Sequence, residues 1–505
     1  MGASSRKHIA DPIHGAIDVR DHEFDVIDTP TFQRLRRIKQ LAMASQVYPG
    51  ADHSRFVHSL GVFALTGRMV ARLRELHPDT VGERDEKILR LAALLHDVGH
   101  YPYSHLLEKL KLPAKQDTEI AQTIEPKENG RKAEPTPTQY PKHDEVGAGV
   151  VLERADIMGA LRSNKVEPQE IAKILTYRHG EKPWYNQVIS RDLDTDRLDY
   201  LLRDAHFTGV PYGGIDIEYI LRNVELDDED NVCITPKAIL SAEHFLLGRW
   251  FNYGAVVYQK TVMGMEALLR ALLQRMASSG LLPDCPKRIW EIVEDPQGFL
   301  EFDDHYVDAE IRKLAYGEGP PKGPPFDDEA LTKLFAVAVM HRVKPRCVFE
   351  AIQEPAGHNK SYALERFDTE AAKKIASWAS QRDVQGDLWF TGDSKERSLE
   401  EVRPYESFTD EVDDESGGDA QKRRKGVSKL IRVADGNGKS SFLADRQTSL
   451  VHPLSKAKFR VARIYVLLPE EVLQTLNPPD KRRWRTKYKR RAEEIRSHIA
   501  RDLGL

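Results

Sequence analysis

The chain is 505 residues long, 40% apolar and 30% charged, which supplies a sizeable core and excludes wholesale disorder. Its 75 Lys+Arg against 79 Asp+Glu give a net charge of −4, which excludes a protein that simply coats nucleic acid. Three scattered cysteines, Cys233, Cys285 and Cys347, form no Cys-x-x-Cys pair, so a thiolate metal site is excluded and a reducing compartment fits. No apolar run approaches the ~20 residues of a membrane span, and Met1 to Ala10 lack a secretory apolar stretch. A soluble cytoplasmic protein without a membrane partner is expected.

In chain order, Phe32, Leu35, Ile38 and Leu41 recur at a spacing that predicts a helix, with Asp28-Thr29-Pro30 as its cap and first turn. Residues 57–76 and 88–97 read as two more helices, the second closed by Gly99 and Pro102. Residues 111–142, rich in Lys, Glu, Gln and Thr and carrying Pro126, Pro135, Pro137 and Pro141, read as a polar insertion. Helical pattern returns over 143–275, broken at Pro211-Tyr212-Gly213-Gly214. It continues over 276–345 around a Gly/Pro-rich loop at 317–325.

Residues 380–427 are poor in apolar side chains and read as a long polar loop. Strands over 430–434 and 441–444 flank the turn Asp435-Gly436-Asn437-Gly438, and 459–468 is a further strand. Residues 480–505 read as a basic helix with Trp484 and Tyr488 interleaved. That footprint suits single-stranded nucleic acid, although a solvated or subunit-packed helix is the commoner reading. The expected fold is mostly α: a helical core over 1–345, a small α+β region over 346–479 and the basic helix.

The histidines carry the chemistry. His96-Asp97 ends the apolar helix, and an imidazole and a carboxylate at a buried helix end need polar partners. A divalent metal is one such partner; a core hydrogen bond and a capping role are the alternative. The pair is not alone, because His58 opens the preceding helix, His100 and His105 follow closely, Asp196 precedes Arg197, and His143-Asp144 opens another helix. Imidazoles and carboxylates without thiolates suit Mn, Mg, Fe, Zn or Ni, with positions left for water. His100, His105 and His143 could then serve as general acid or base.

The run His58, His96-Asp97, Asp196 resembles the signature of the HD superfamily of metal-dependent phosphohydrolases. Asp11-Pro12-Ile13-His14-Gly15, residues 28–41, Tyr48-Pro49-Gly50-Ala51, residues 55–61 and residues 95–105 narrow the resemblance further. They are similar to the deoxynucleoside triphosphate (dNTP) triphosphohydrolases, namely bacterial enzymes and the animal enzyme that couples a SAM domain to the HD domain. The similarity is strong over 7–110 and 190–210, fair as far as 265, and weak or absent beyond 345; no SAM domain is expected before it.

The resemblance implies metal ligation by His58, His96, Asp97 and Asp196, and a catalytic side of His100, His105, His143 and Asp144. It implies phosphate neutralisation by Arg55 and Arg197, the latter in place of a more usual Lys. Gln40, Leu41, Tyr200 and Asp204 would hold the deoxyribose, with Tyr258 packed on C2′ to exclude ribose. The implied reaction releases tripolyphosphate from a dNTP, and the implied assembly is a homo-oligomer: a dimer, tetramer or hexamer.

Lys7, Asp28, Gln33 and Arg36 coincide with a regulatory guanine-nucleotide site of the animal enzyme, implying a nucleotide activator. Read structurally, Asp28 is a helix cap, and Gln33 and Arg36 lie on a solvated helix face. Gln259 and Thr261 depart from a His-Lys pair in relatives, and the expected phosphate-binding Arg is either Arg249, one residue out of register, or missing. Two rivals stand beside this reading: an HD-type phosphodiesterase or nuclease acting on DNA or cyclic nucleotides, and a non-enzymatic nucleotide-sensing scaffold.

Overall fold

The structure, a computed structural model, describes residues 7–112, 138–177, 182–190, 193–317, 327–353, 388–393, 397–398, 431–446, 448–450, 458–476 and 481–503. Most of the polar insertion, of the 317–325 loop and of the 380–427 segment lies outside these residues. The fold is mostly α with a few small sheets.

The described chain opens with a hairpin, β1 (Lys7–Asp11) and β2 (Gly15–Val19), in register from Lys7↔Val19 to Asp11↔Gly15. Asp11 sets its turn: Oδ1 accepts from the backbone N–H groups of Ile13 and His14, both at 2.9 Å. α1 (Asp21–Ile27) and α2 (Pro30–Gln33) follow, then a 3₁₀ turn at Arg34–Arg37. The helix expected through Leu41 therefore stops early. Ile38 is extended because its carbonyl accepts from Arg55 N (2.9 Å), and Lys39 bridges Ser54. Thr29 rather than Asp28 caps α2, its hydroxyl accepting from Phe32 N at 3.2 Å with Pro30 in the first turn.

α3 (Arg55–Leu76) and α4 (Glu83–Leu95) form the centre. Leu60, Phe63, Leu65 and Met69 of α3 and Leu89, Leu91, Leu94 and Leu95 of α4 are all at most 2% exposed. A helix apolar on so many sides must be buried on them. Around this pair lie α5 (His105–Glu108), α6 (His143–Glu153), α7 (Ala155–Ser163), α8 (Pro168–Leu175), α9 (Pro183–Ile189) and α10 (Thr195–Thr208). The short pair β3 (Lys111–Leu112) and β4 (Thr138–Gln139) brackets the insertion. α10 packs along α3 and is capped at both ends. Asp194 accepts from Arg197 N at 2.7 Å, and Gly209 at φ 76° supplies the left-handed exit.

After α11 (Ile217–Arg222) come β5 (Val224–Leu226) and β6 (Val232–Ile234), where continuous helix was expected. Strands this short show no readable alternation. Helices resume with α12 (Ile239–Asn252), a π-helical turn at Tyr253–Val257, and α13 (Lys260–Ser278). α14 (Pro286–Glu294), α15 (Pro296–Glu301), α16 (Asp304–Tyr316) and α17 (Asp328–Met340) follow.

The C-terminal part holds β7 (Arg346–Gln353), β8 (Leu388–Asp393), β9 (Arg397–Ser398), β10 (Arg432–Ala434), β11 (Ser440–Phe442) and β12 (Lys458–Leu467). The hairpin read around Asp435 is β10–β11, with Asp435 Oδ1 accepting from Asn437 N (2.8 Å) and Lys439 N (3.2 Å). It joins the earlier strands in the order β11-β10-β6-β5, while β12 lies between β7 and β8. α18 (Pro469–Leu476) leads to α19 (Lys481–Leu503), which lies on β7 and buries Tyr488, Ala492, Ile495 and Ile499. No described helix is long and apolar enough to cross a membrane.

Candidate metal centre and substrate cleft

Three helix ends converge: the start of α3 brings Arg55 and His58, the end of α4 brings His96 and Asp97, and the start of α10 brings Asp196. Donor atoms of His58, His96 and Asp97 all lie within 4.8 Å of one another. Asp196 Oδ1 lies 2.9 Å from His58 Nε2 and 4.0 Å from His96 Nε2. His96 donates from Nδ1 to Ala93 O (2.8 Å), which leaves Nε2 buried and without a hydrogen-bond partner among the described residues. A buried imidazole lone pair beside two carboxylates is what a divalent cation satisfies. The residues present therefore fit such an ion.

The electrostatics show how strongly the carboxylates here draw positive charge. Burial alone would lower the pKa of His58, but hydrogen bonds to Asp196 and Asp199 outweigh it and raise it to about 10. Burial would likewise raise that of Asp97, but Arg55 and the neighbouring imidazoles hold it well below the usual carboxylate range. Arg55 donates to Asp97 Oδ2 and to Ser104 Oγ, both at 2.7 Å. Ser104 and Tyr103 both take positive φ, 53° and 55°, a strained pair outside glycine. Asp304 holds this bend by accepting from Tyr103 N at 2.7 Å.

The bend delivers His105 to the first turn of α5, beside His100 and His143. His100 stacks on His143 at 4.0 Å between ring centroids, and His105 meets both edge-on. Gly99 makes this possible: a Cβ there would stand 2.7 Å from Gly147 Cα and nearer still to its backbone N, so α6 can dock only on a residue without a side chain. Burial, with Arg55 and His143 nearby, pushes the pKa of His100 well down, so it is neutral near neutral pH. Glu108 Oε2 lies 3.1 Å from His105 Nδ1 and 3.3 Å from His143 Nδ1. Burial would raise its pKa, but those imidazoles hold it well below its usual range. Sequence reasoning missed Glu108, although its position three residues after His105 on one helix was a legible signal. Asp144, half-buried in the first turn of α6, accepts from Glu145 N.

Arg55, Asp97, His105 and Asp196 open on a cleft whose empty space, open solvent included, is about 950 Å³. Its walls include Gln40, Leu41, Arg55, Asp97, His105, Asp196, Tyr200 and Asp204. Asp196, Tyr200 and Asp204 follow at intervals of four along α10 and so share one stripe. Gln40 Oε1, Tyr200 Oη and Asn252 Oδ1 are buried there without hydrogen-bond partners among the described residues.

Two residues expected on the cleft are not among the described wall residues. Arg197 is fully buried and paired with Asp194 at 2.6 Å, and Tyr258 is 4% exposed. Tyr253 lines the cleft instead. The π turn accounts for this: Tyr258 N donates to Tyr253 O (2.8 Å), a five-residue step that shifts the helical phase. Arg249 is fully buried on α12, and Gln259 caps α13 by accepting from Thr261 N and Val262 N.

Lys7, Asp28, Gln33 and Arg36 lie on the hairpin and the α1–α2 region. Lys7 Nζ stands 3.3 Å over the Phe24 ring, Arg36 donates to Gln33 Oε1 (2.6 Å), and Asp28 is exposed.

Residues 55–204, which carry all four proposed ligands, match the family profile of the HD domain. That stretch of the chain is an HD-domain match. Over 276 residues it is 34% identical to the uncharacterized protein YwfO of Bacillus subtilis, covering 54% of this chain and 56% of that one. It is also 34% identical over 253 residues to the human deoxynucleoside triphosphate triphosphohydrolase SAMHD1, covering 46% of this chain and 38% of that protein. The chain thus spans about half the length, or less, of these curated relatives. A phosphohydrolase of Bacteroides thetaiotaomicron shares the fold of this chain with a TM-score of 0.62 at 23% identity, over 91% of this chain and 100% of that one.

Proposed function

We propose that the protein is a metal-dependent dNTP triphosphohydrolase, splitting its substrate into deoxynucleoside and tripolyphosphate. The convergence of His58, His96, Asp97 and Asp196 carries the reading, with Asp97 and Asp196 on the wall of a cleft that Gln40, Tyr200 and Asp204 also line. Similarity to SAMHD1, a protein named for this activity, supports it. A divalent ion at the four ligands, Mn, Mg, Fe, Zn or Ni, would polarise a phosphoryl oxygen and acidify a water.

This chain's own residues do the rest. Arg55 neutralises phosphate charge from the cleft wall. Gln40, Tyr200 and Asp204 receive the sugar, with Leu41 on the same cleft wall. Water adds to the α-phosphorus, the bond to the 5′-oxygen breaks, and that oxygen takes a proton. His105, on the cleft wall and held by Glu108, is placed to give it, whereas His100 is kept neutral by burial. His143 and Asp144 complete that side. Lys7, Asp28, Gln33 and Arg36 would form a nucleotide activator site, and the active form would be a homo-oligomer.

One observation favours a second reading. Among the described wall residues Arg55 is the sole Lys or Arg, against Asp97, Asp196, Asp204 and Glu266. A triphosphate needs more positive charge than a phosphodiester, so an HD-type phosphodiesterase or nuclease is the alternative. The experiment is a panel of dNTPs, NTPs and single-stranded DNA with Mn, Mg or Fe, singly and mixed. Tripolyphosphate from a dNTP, abolished in His96→Ala and Asp97→Ala, supports the main reading. Shortened DNA without tripolyphosphate supports the alternative. Binding of dNTPs without turnover would make the protein a sensor.

A further inference from the structure

We propose that the turn of the N-terminal hairpin is a working part of the metal centre, joined to it by a buried chain of ion pairs, and that Asp199, His14, Arg203 and Asp11 are positioning residues for His58. The inference rests on the metal-centre reading above.

The chain begins at the ligand. His58 donates from Nδ1 to Asp199 Oδ2 at 2.7 Å. A carboxylate at Nδ1 keeps a proton there and orients the ring, so that Nε2, the atom facing Asp196, is the one a cation would take in place of a proton. Asp199 is itself held on both oxygens. Arg203 donates from Nε to Oδ2 (2.8 Å) and from Nη2 to Oδ1 (2.9 Å), and His14 Nε2 lies 2.6 Å from Oδ1. Arg203 reaches on to Asp11, with Nη1 donating to Oδ2 at 2.9 Å and Nη2 3.3 Å from Oδ1. Asp11 in turn accepts from the backbone of Ile13 and His14, which shapes the turn that presents His14.

Every charged member is sealed: Asp199 and Arg203 are fully buried and Asp11 is 7% exposed. Burial costs several kcal/mol per charge and is met only by complete pairing, so such a chain tolerates little displacement of any member. Its geometry follows from the sequence. Asp199 and Arg203 are four apart on α10, on the stripe next to the one that lines the cleft. Gly61, three residues after His58 on α3, leaves the space they fill. A Cβ at Gly61 would stand 2.5 Å from Arg203 Nη2 and closer still to Asp199 Oδ1. A hairpin at the start of the described chain is thereby tied to a ligand at the core.

The test reads metal affinity, not turnover. Mn affinity is measured by competition with a chelator in the full-length chain for wild type, Asp199→Asn, His14→Ala and His96→Ala, with folding followed by circular dichroism. Asp199→Asn removes the carboxylate charge and sets an NH2 where one of two accepting oxygens meets His58, His14 and Arg203, so it should weaken Mn binding about 10- to 100-fold. His14→Ala, at the less crowded turn, should weaken it in the same direction by less. Folded variants at both positions that bind Mn as wild type does would overturn the proposal.

Amide hydrogen exchange in the unmodified chain keeps the test independent of the variants. Saturating Mn should slow exchange at Ile13 and His14, whose N–H groups Asp11 holds, and no change there overturns the coupling. If His96→Ala binds Mn like wild type, the metal-centre reading fails instead, and the two failures are distinct.

Discussion

Gly61→Ala is the sharpest single test of how this core is built. In an ordinary helix interior the change stabilises by about 1 kcal/mol, because glycine pays more backbone entropy. At Gly61 the new methyl group would land on Asp199 and Arg203, two fully buried partners. Prising such a pair apart costs about 3–5 kcal/mol, so sterics should beat propensity. The net expectation is a loss of roughly 2–4 kcal/mol, read as a lower midpoint in urea unfolding.

Gly159, in the middle of α7, is the internal control. It is exposed, and a Cβ there meets nothing within 4 Å, so Gly159→Ala should gain up to about 1 kcal/mol. If Gly61→Ala is neutral or stabilising while Gly159→Ala behaves as expected, the packing of α3 on the Asp199–Arg203 pair is wrong.

Three further outcomes are expected. Burial raises the pKa of Asp304 from 3.8 to about 6, so the folded state holds its proton more tightly than the unfolded chain does. Its contribution to folding is most favourable below pH 4 and is lost as pH rises to 6. Relative to Asp304→Asn, wild type should therefore lose on the order of 3 kcal/mol between pH 4 and 7; parallel stability curves would refute this. Tyr253→Ala should raise turnover of NTPs relative to dNTPs, and Tyr258→Ala should not, as measured by tripolyphosphate release. Lys489 and Arg490 are exposed on α19, whereas its opposite face covers β7. Lys489→Glu with Arg490→Glu should abolish any salt-sensitive retention of single-stranded DNA while leaving the melting temperature unchanged; undiminished retention would place the contact elsewhere.

What could be read from the sequence divides along physical lines. His58, His96, Asp97 and Asp196 stood out because their residue types are costly to bury and gain nothing from burial unless they share a partner. Gln40, Leu41, Arg55, Tyr200 and Asp204, which meet on the cleft, came from the resemblance rather than from any periodicity. Arg197 also came from the resemblance, and a matching position does not reveal that Asp194, three residues earlier, pairs with the guanidinium. Tyr258 came from the resemblance as well, in a stretch where the π turn at Tyr253–Val257 shifts the helical register, and it is Tyr253 that lines the cleft. Asp199 and Glu108 went unnoticed because each acts on a histidine rather than on the cleft. β5 and β6 are short strands whose pairing depends on neighbours far along the chain, which no local window contains.

The central place of β12 has a consequence for synthesis. β7 leaves the ribosome about a hundred residues before the strand that pairs with it, a wait of roughly 5–20 s at ordinary elongation rates. During that interval its edge is open to any other extended chain, and α19, which will cover it, emerges later still. Slower translation between Gln353 and Lys458 should therefore increase the insoluble fraction of newly made protein without altering the stability of the molecules that finish folding.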